Sequence, residues 1–399
     1  MAARSTRLRA AAGDAGNGGG GCRLAEFLRL LQPGVAREVS LLVYPSLPAA
    51  ALAKLRALSA LLALRLHSYI DAACIDACAG LRHLSKLDLW SPYHPLPELA
   101  PLLACANLQM LCLFDKSQRN EPLPLPPPAS FRGGRGLRYF WAFTTSTFQV
   151  AGARLGHVFL CSTLEPCAEV PASAFLFLHR QQQAADLPRH PLGPLPALLA
   201  ALLPPGVPLR HLTLLGFRLP RVAACSTQLA DVDTLKVLSC VAEGTSGTSS
   251  EASSGGCAAW LEPLLQDMPA LADLELRRCL AGKLPASLPS LRGLSRLALS
   301  DNGLATLPTG CQFWTGLREV DLSRNSFTRL PPALLGASAL EGLELSGCRQ
   351  LTLTAEEAEQ LLQALPRLRV VELGGTASEP EVVAQLEHGL AKRRERASA

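Results

Sequence analysis

The sequence predicts an α/β solenoid, a right-handed stack of coils with a parallel sheet on its concave side and helices or extended turns on the convex side. Three observations predict it. The frame L-x-x-L-x-L-x-x-N/C starts at Leu271, Leu294, Leu317 and Leu340, each 23 residues after the one before, and again at Leu368 after 28. Within each line the apolar residues alternate with period two, the mark of a strand with one buried face. A unit this short cannot bury its apolar side chains alone, so neighbours must stack.

In the coil that starts at Leu317, Val320 and Leu322 point inward while Glu319, Asp321 and Ser323 point outward. Asn325 falls where the chain bends, and its amide can satisfy backbone groups that the bend would leave buried and unpaired. Phe327, Leu330 and Leu334 close the back of the core. Upstream the frame is degenerate, with starts at Leu61, Leu84, Leu108, Leu137, Leu155, Leu209 and Leu235. A first unit around Val39 to Val43 and another in ASAFLFLHR, Ala172 to Arg180, bring the array to about a dozen units over residues 38–376.

The ends and interruptions follow from composition. Residues 1–22 are expected to be a disordered tail. Residues 23–37 are expected to form an N-terminal cap helix, with Leu24, Phe27, Leu28 and Leu31 on one face and Pro33 stopping it. Residues 377–399 are expected to form a C-terminal cap helix with Val383, Leu386 and Leu390 on one face, ending in the basic tail KRRER. Two loop excursions interrupt the array: the proline-rich stretch near 117–136 and the Ser/Gly-rich stretch near 243–256.

The continuations NGLATLPTG and NSFTRLPPALLGAS resemble those of leucine-rich-repeat proteins, specifically the intracellular Ras-group (Ras-suppressor-like) repeats. The last interval, holding TAEEAEQLLQALPRL, resembles a ribonuclease-inhibitor-like unit instead. The resemblance implies a non-enzymatic binding scaffold with a protein partner on the concave face, such as a small GTPase, a kinase or a phosphatase. A ubiquitin-ligase adaptor or a regulatory subunit is the alternative, although no F-box-like LPxE segment precedes the array. The N-terminal two-thirds depart from the family at the Asn position.

Composition bounds the rest. Hydrophobic residues make up 48% of the 399 and charged ones 18%, which is ample for a core. A net charge of +5, with cations bunched only at Lys392 to Arg396, argues against nucleic acid. No run of 18 apolar residues is present, so no membrane span is expected. Thirteen cysteines in no framework spacing, no apolar signal core and no glycosylation sequon point to a reducing cytoplasmic location. The Arg- and Ala-rich start leaves an organelle transit segment as the alternative. A monomer is expected.

Chemistry-bearing motifs are missing: no HExxH, GxSxG, GxxxxGK[ST] or paired CxxC occurs, so no catalytic residue, cofactor or metal is assigned. Cys74 and Cys78 would share a helix face, and two thiols alone make a poor zinc site. They read as buried structural residues; Cys161 and Cys167 have no better support, and Cys279 and Cys348 fill the Asn column.

The informative positions are the outward strand residues, which neighbouring strands set about 4.8 Å apart in columns. In the N-terminal half the seventh position reads His67, Trp90, Phe114 and Phe143, and the fifth adds Trp141 and Phe159. Grouped aromatics suit a binding surface; otherwise they tuck under the proline-rich excursion. In the C-terminal half the fifth position reads Glu275, Ala298, Asp321, Glu344 and Glu372, with Glu319 beside it. Arg277, Arg296, Arg318, Arg324 and Arg369 project from the same sheet and could neutralise these carboxylates. If they do not, the face is a charged patch for a basic or mixed-charge protein surface.

Overall fold

Alternation of buried and outward residues builds both halves of the chain. The computed structural model describes residues 7–12, 32–91, 94–115, 123–131, 137, 139–150, 153–163, 173–179, 192, 195–203, 207–220, 227–242, 257–308 and 314–398. They form two compact units, Met1–Leu209 and Arg210–Ala399.

The first unit contains β1 (Arg7–Ala12), β2 (Glu38–Ser46), α1 (Ala49–Arg56), β3 (Ala63–Tyr69), α2 (Ala72–Ala79), β4 (Lys86–Ser91) and β5 (Met110–Asp115). They are followed by β6 (Leu123–Pro124), β7 (Tyr139–Val150), β8 (Ala153–Thr163), β9 (Ser173–His179) and α3 (Leu195–Leu202). Strands β1 to β5 and β7 pair in parallel, each with the next, so that Leu64, Leu87, Leu111 and Phe140 form one inward row and Leu66, Leu89, Leu113 and Ala142 another. All eight are buried. Burying each leucine is worth roughly 1.5–3 kcal/mol.

Opposite the sheet, α1 buries Leu52 and Leu55, and α2 buries Cys74, Ile75 and Cys78. Asp71 caps α2 by accepting from the Cys74 N–H at 2.8 Å. Burial pushes the Cys74 thiol up to about 12 and the Cys78 thiol higher still, so both behave as small core residues.

Three expectations change in this unit, and a fourth falls mostly outside the described residues. Residues 7–12, read as part of a disordered tail, form β1 on the edge of β2, with Leu8 opposite Val39 and Ala10 opposite Leu41. Of the expected cap helix, residues 23–31 lie outside the described residues, and Val35 and Ala36 donate their N–H groups back to the Gln32 carbonyl in a turn. The proline-rich excursion is not a simple loop. Its Leu123, Leu125 and Phe131 are buried, β6 pairs with the far end of β7, and Pro128–Ser130 forms a 3-10 turn. Proline fixes the extended backbone there while the intervening leucines turn inward.

The third change is topological. Leu155 starts no coil: β8 runs antiparallel to β7, placing Leu155 opposite Phe148, and β9 runs antiparallel to β8. The stretch ASAFLFLHR forms β9, the last strand of this meander, with Leu176 and Leu178 buried in period two and α3 following it. Strand β7 is also long, twelve residues. The stretch TTSTFQV, rich in strand formers, carries it on to Val150.

The second unit is parallel throughout. Its main strands are β10 (Leu209–Leu215), β12 (Thr234–Leu238), β14 (Asp273–Arg277), β15 (Arg296–Ala298), β16 (Glu319–Asp321), β17 (Gly342–Glu344) and β18 (Val370–Glu372). A small pair, β11 (Arg218–Leu219) with β13 (Val241–Ala242), runs beside them. Leu235 pairs with Leu212 and with Leu274, which are fourth-position residues. That coil therefore starts at Val232, 23 residues after Leu209, and the expected start at Leu235 is three residues late. The excursion at 243–256 lies outside the described residues; α4 (Ala258–Gln266) follows it.

Asn302 and Asn325 bolt coils together. The Asn325 amide donates to the carbonyls of Leu299 and Leu322, while its oxygen accepts from the N–H groups of Asn302 and Leu304. Asn302 repeats the pattern one coil earlier, accepting from Cys279 and Leu280 and donating to Leu276 and Leu299. Where the column holds cysteine, weaker thiol bonds stand in: Cys348 donates to the Leu322 carbonyl, Cys279 to that of Val237, and Cys240 to those of Leu214 and Leu238.

Helix α5 (Ala355–Ala364) opens with a capping box between Thr354 and Glu357. Helix α6 (Pro380–Ser398) packs on α5 and covers the end of the stack with Val382, Leu386 and Leu390. The expected face shifts by one residue at its start, Val382 being buried and Val383 half-buried. Arg393 donates to the Leu365 carbonyl at 2.7 Å, fixing the far end of α6 to the end of α5.

Candidate functional site

On the first unit, parallel register turns four separate sequence positions into a ladder of rings. His67, Trp90, Phe114 and Phe143 occupy successive rows of β3, β4, β5 and β7. Trp90 and Phe114 stack with ring centres 3.9 Å apart, and Phe114 and Phe143 stack at 5.3 Å. His67 meets Trp90 at 5.4 Å, tilted by 40°. Trp141 lies alongside, 6.2 Å from Phe114 and nearly parallel to it.

Phe114 is the most enclosed, at 8% exposure, because rings flank it on both sides; His67, Trp90, Trp141 and Phe143 are half-buried. Burial pulls the His67 imidazole below its usual value, with Asp88 acting in the opposite direction, so the ring is neutral at neutral pH. Stacked pairs of this kind contribute roughly 0.5–1.5 kcal/mol beyond area burial.

Phe159 joins this face by a route the sequence frame did not foresee. The antiparallel register of β8 sets it opposite Trp141, and Phe177 of β9 follows in the next row. Tyr139 makes an edge contact with Phe159 at 5.4 Å. Both Tyr139 and Phe177 escaped the sequence reading: Tyr139 sits at a third position, and Phe177 aligns only once the meander is known. At the other side of the ladder Arg65 and Asp88 form an ion pair at 2.8 Å. The result is a flat apolar strip, two positions wide, bordered by one neutralised pair.

On the second unit the fifth positions fall in register as expected, Glu275, Ala298, Asp321, Glu344 and Glu372 side by side. Neutralisation by the neighbouring arginines is incomplete. Lys236 pairs with Glu275 at 2.9 Å, and Arg296 reaches Asp273 at 3.8 Å and Glu319 at 3.5 Å. Among the described residues, no ion pair joins Arg277, Arg318, Arg324 or Arg369 to the column, and Asp321, Glu344 and Glu372 take no cation. Partial burial, then the charges of Asp321 and Glu372, raise the Glu344 carboxyl above its ordinary value.

A second column was not read from the sequence. The eighth position of every coil in this unit has a positive φ: Gly216, Ser239, Arg278, Asp301, Arg324, Gly347 and Gly375. The backbone takes this left-handed step just before the ninth position, whether that holds Asn, Cys, Phe217 or Thr376. It costs a residue with a Cβ roughly 1–2 kcal/mol. The three glycines, each just before the bend, were the readable signal. Asp301 forms an ion pair with Arg278, whereas Arg324 and Arg349 line an open polar pocket of about 720 Å³ beside Gly347 and Gly375.

No family model and no curated protein matches the chain. Among solved structures it is similar to a leucine-rich-repeat protein of Leptospira interrogans, at 17% identity and a TM-score of 0.51, over 92% of this chain and 84% of that one. The fold is the leucine-rich-repeat solenoid. An internalin of Listeria monocytogenes aligns at 14% identity and a TM-score of 0.43, over 83% of this chain and 79% of that one. A plant peptide hormone receptor in complex with RGF2 aligns at 13% and 0.35, over 90% and 66%. Among the described residues, no helix of this leucine-rich-repeat chain is long and apolar enough to cross a membrane.

Proposed function

We propose that this leucine-rich-repeat chain is a non-enzymatic scaffold that binds protein partners on the outward face of its strands, the face expected to be concave. The observation that carries the reading is the ladder from His67 through Trp90 and Phe114 to Phe143 and Trp141. An aromatic strip left half-buried beside a core that does not need it is the composition of interface hot spots. Resemblance of the C-terminal coils to Ras-group repeats favours an intracellular signalling partner, a small GTPase, kinase or phosphatase, met by a cytoplasmic monomer. The adaptor or regulatory-subunit role differs only in what is recruited: a ubiquitin ligase or an enzyme core would co-purify in stoichiometric amount.

The test is capture from lysate by wild type and by the double variant Trp90→Ala, Phe114→Ala, with circular dichroism confirming the fold. The variant should lose the principal partner. Retention of every partner by the folded variant removes the aromatic strip as the site. The reversals Asp321→Lys and Glu344→Lys test the acidic column in the same assay; a partner set unchanged by both excludes it.

A further inference from the structure

Three charged residues, Arg278, Asp301 and Arg324, hold a backbone conformation that the same column gives to glycine at Gly216, Gly347 and Gly375. Stability alone would put glycine at all of them. Two of the three answer each other, since Arg278 pairs with Asp301. Arg324 does not: among the described residues no carboxylate lies within ion-pair distance of it or of Arg349, and both are exposed.

Arg324 borders an open shelf lined by Gly347 and Gly375. A Cβ placed on Gly347 would come within 3.1 Å of the Arg324 Cγ, so the stem passes close to that glycine. In the following row Gly375 would meet only Gly347, which leaves the shelf bare. Arg349 borders the same pocket, and the charge of Asp301 on its rim is taken by Arg278. On its other side Arg324 borders a groove of mixed charge, lined by Arg277, Asp321 and Glu344.

We propose that Arg324 and Arg349 form an anion-binding pocket for a phosphate- or carboxylate-bearing side chain of a partner peptide. Two guanidinium groups over a glycine shelf offer charge-assisted, bidentate hydrogen bonds to such a group. The site lies on the second unit, so it goes beyond the aromatic strip and stands or falls separately.

The experiment is fluorescence anisotropy of the full chain with three fluorescein-labelled Gly/Ser peptides, identical except for a central phosphoserine, glutamate or serine. Wild type should bind at least one of the acidic peptides at least tenfold tighter than the serine peptide. A phosphoserine preference assigns the site to a dianion, and equal binding assigns it to any carboxylate. Arg324→Gly should weaken the acidic peptide at least tenfold while leaving Tm unchanged or higher, because glycine relieves the backbone. Arg349→Gln, which touches no special backbone, should weaken it similarly, and Trp90→Ala with Phe114→Ala should leave it intact. Equal binding of all three peptides, full binding by Arg324→Gly and Arg349→Gln, or a fall in Tm for Arg324→Gly would each overturn the proposal.

Discussion

Replacing Asn325 by alanine is the sharpest test of what joins the coils. Its side chain is 6% exposed and serves four backbone groups within 3.1 Å. The carbonyls are only partly orphaned by the change, since the Leu299 oxygen still accepts from the Asn302 amide and the Leu322 oxygen from the Cys348 thiol. The N–H groups of Asn302 and Leu304 lose their acceptor outright. Two buried donors at roughly 1–3 kcal/mol each set a range of about 2–6 kcal/mol. The vacated space is polar and can admit a bridging water, which places the expected loss at about 2–4 kcal/mol. Urea unfolding followed by the fluorescence of buried Trp314 measures the total, and amide exchange locates it. The Asn302 and Leu304 amides should exchange faster than those of β17. A loss below about 1 kcal/mol, or unchanged protection at those two amides, refutes the assignment of coil-to-coil cohesion to this amide.

Two further outcomes follow from the inward and outward rows. Leu322→Asp puts a carboxylate at a fully buried position and should cost more than about 4 kcal/mol, read as a collapse of the thermal transition; an unchanged Tm would mean that Leu322 faces water. Glu344→Gln should raise Tm at neutral pH. The folded-state pKa of Glu344 is raised, so its protonated form favours folding at low pH and that advantage is lost as pH rises from the ordinary value of 4.5 through the folded value. The gain from glutamine should therefore vanish on acidification below 4.5, and a gain that persists there would show that charge is not the cause.

The sequence was most legible where each coil closes on itself. From Leu271 onward, alternation and the Asn or Cys bend fix register without ambiguity, and the carboxylate column falls in line as expected. Legibility was lower in the first unit, where no coil carries the bend residue. Tyr69, Pro92, Lys116 and Thr145 stand in its place, and whether such a strand turns into a coil or folds back as a hairpin depends on pairing partners that no local pattern records. The same ambiguity explains why Phe159 was chosen for its place in a coil that does not exist, yet lands beside Trp141 through the hairpin. At Val232 the frame is masked more simply, because valine holds the first position and Leu235 is the fourth-position residue. The left-handed column was hidden for another reason. It shows in dihedral angles, and arginine at Arg278 and Arg324 carries no sequence mark of φ > 0.

Recognition and stability are separable along most of each coil. The first, fourth and sixth positions face the core and tolerate only apolar residues, so changes there alter stability and leave surface chemistry alone. The third, fifth and seventh positions face outward, which is how one backbone presents stacked rings on the first unit and carboxylates on the second. The eighth position breaks this separation. There the backbone itself asks for glycine, and any side chain presented has a conformational cost of its own. Gly347 shows that the requirement can be met one row away from Arg324. The contrast between those rows is testable by asking whether glycine at Arg324 stabilises the fold.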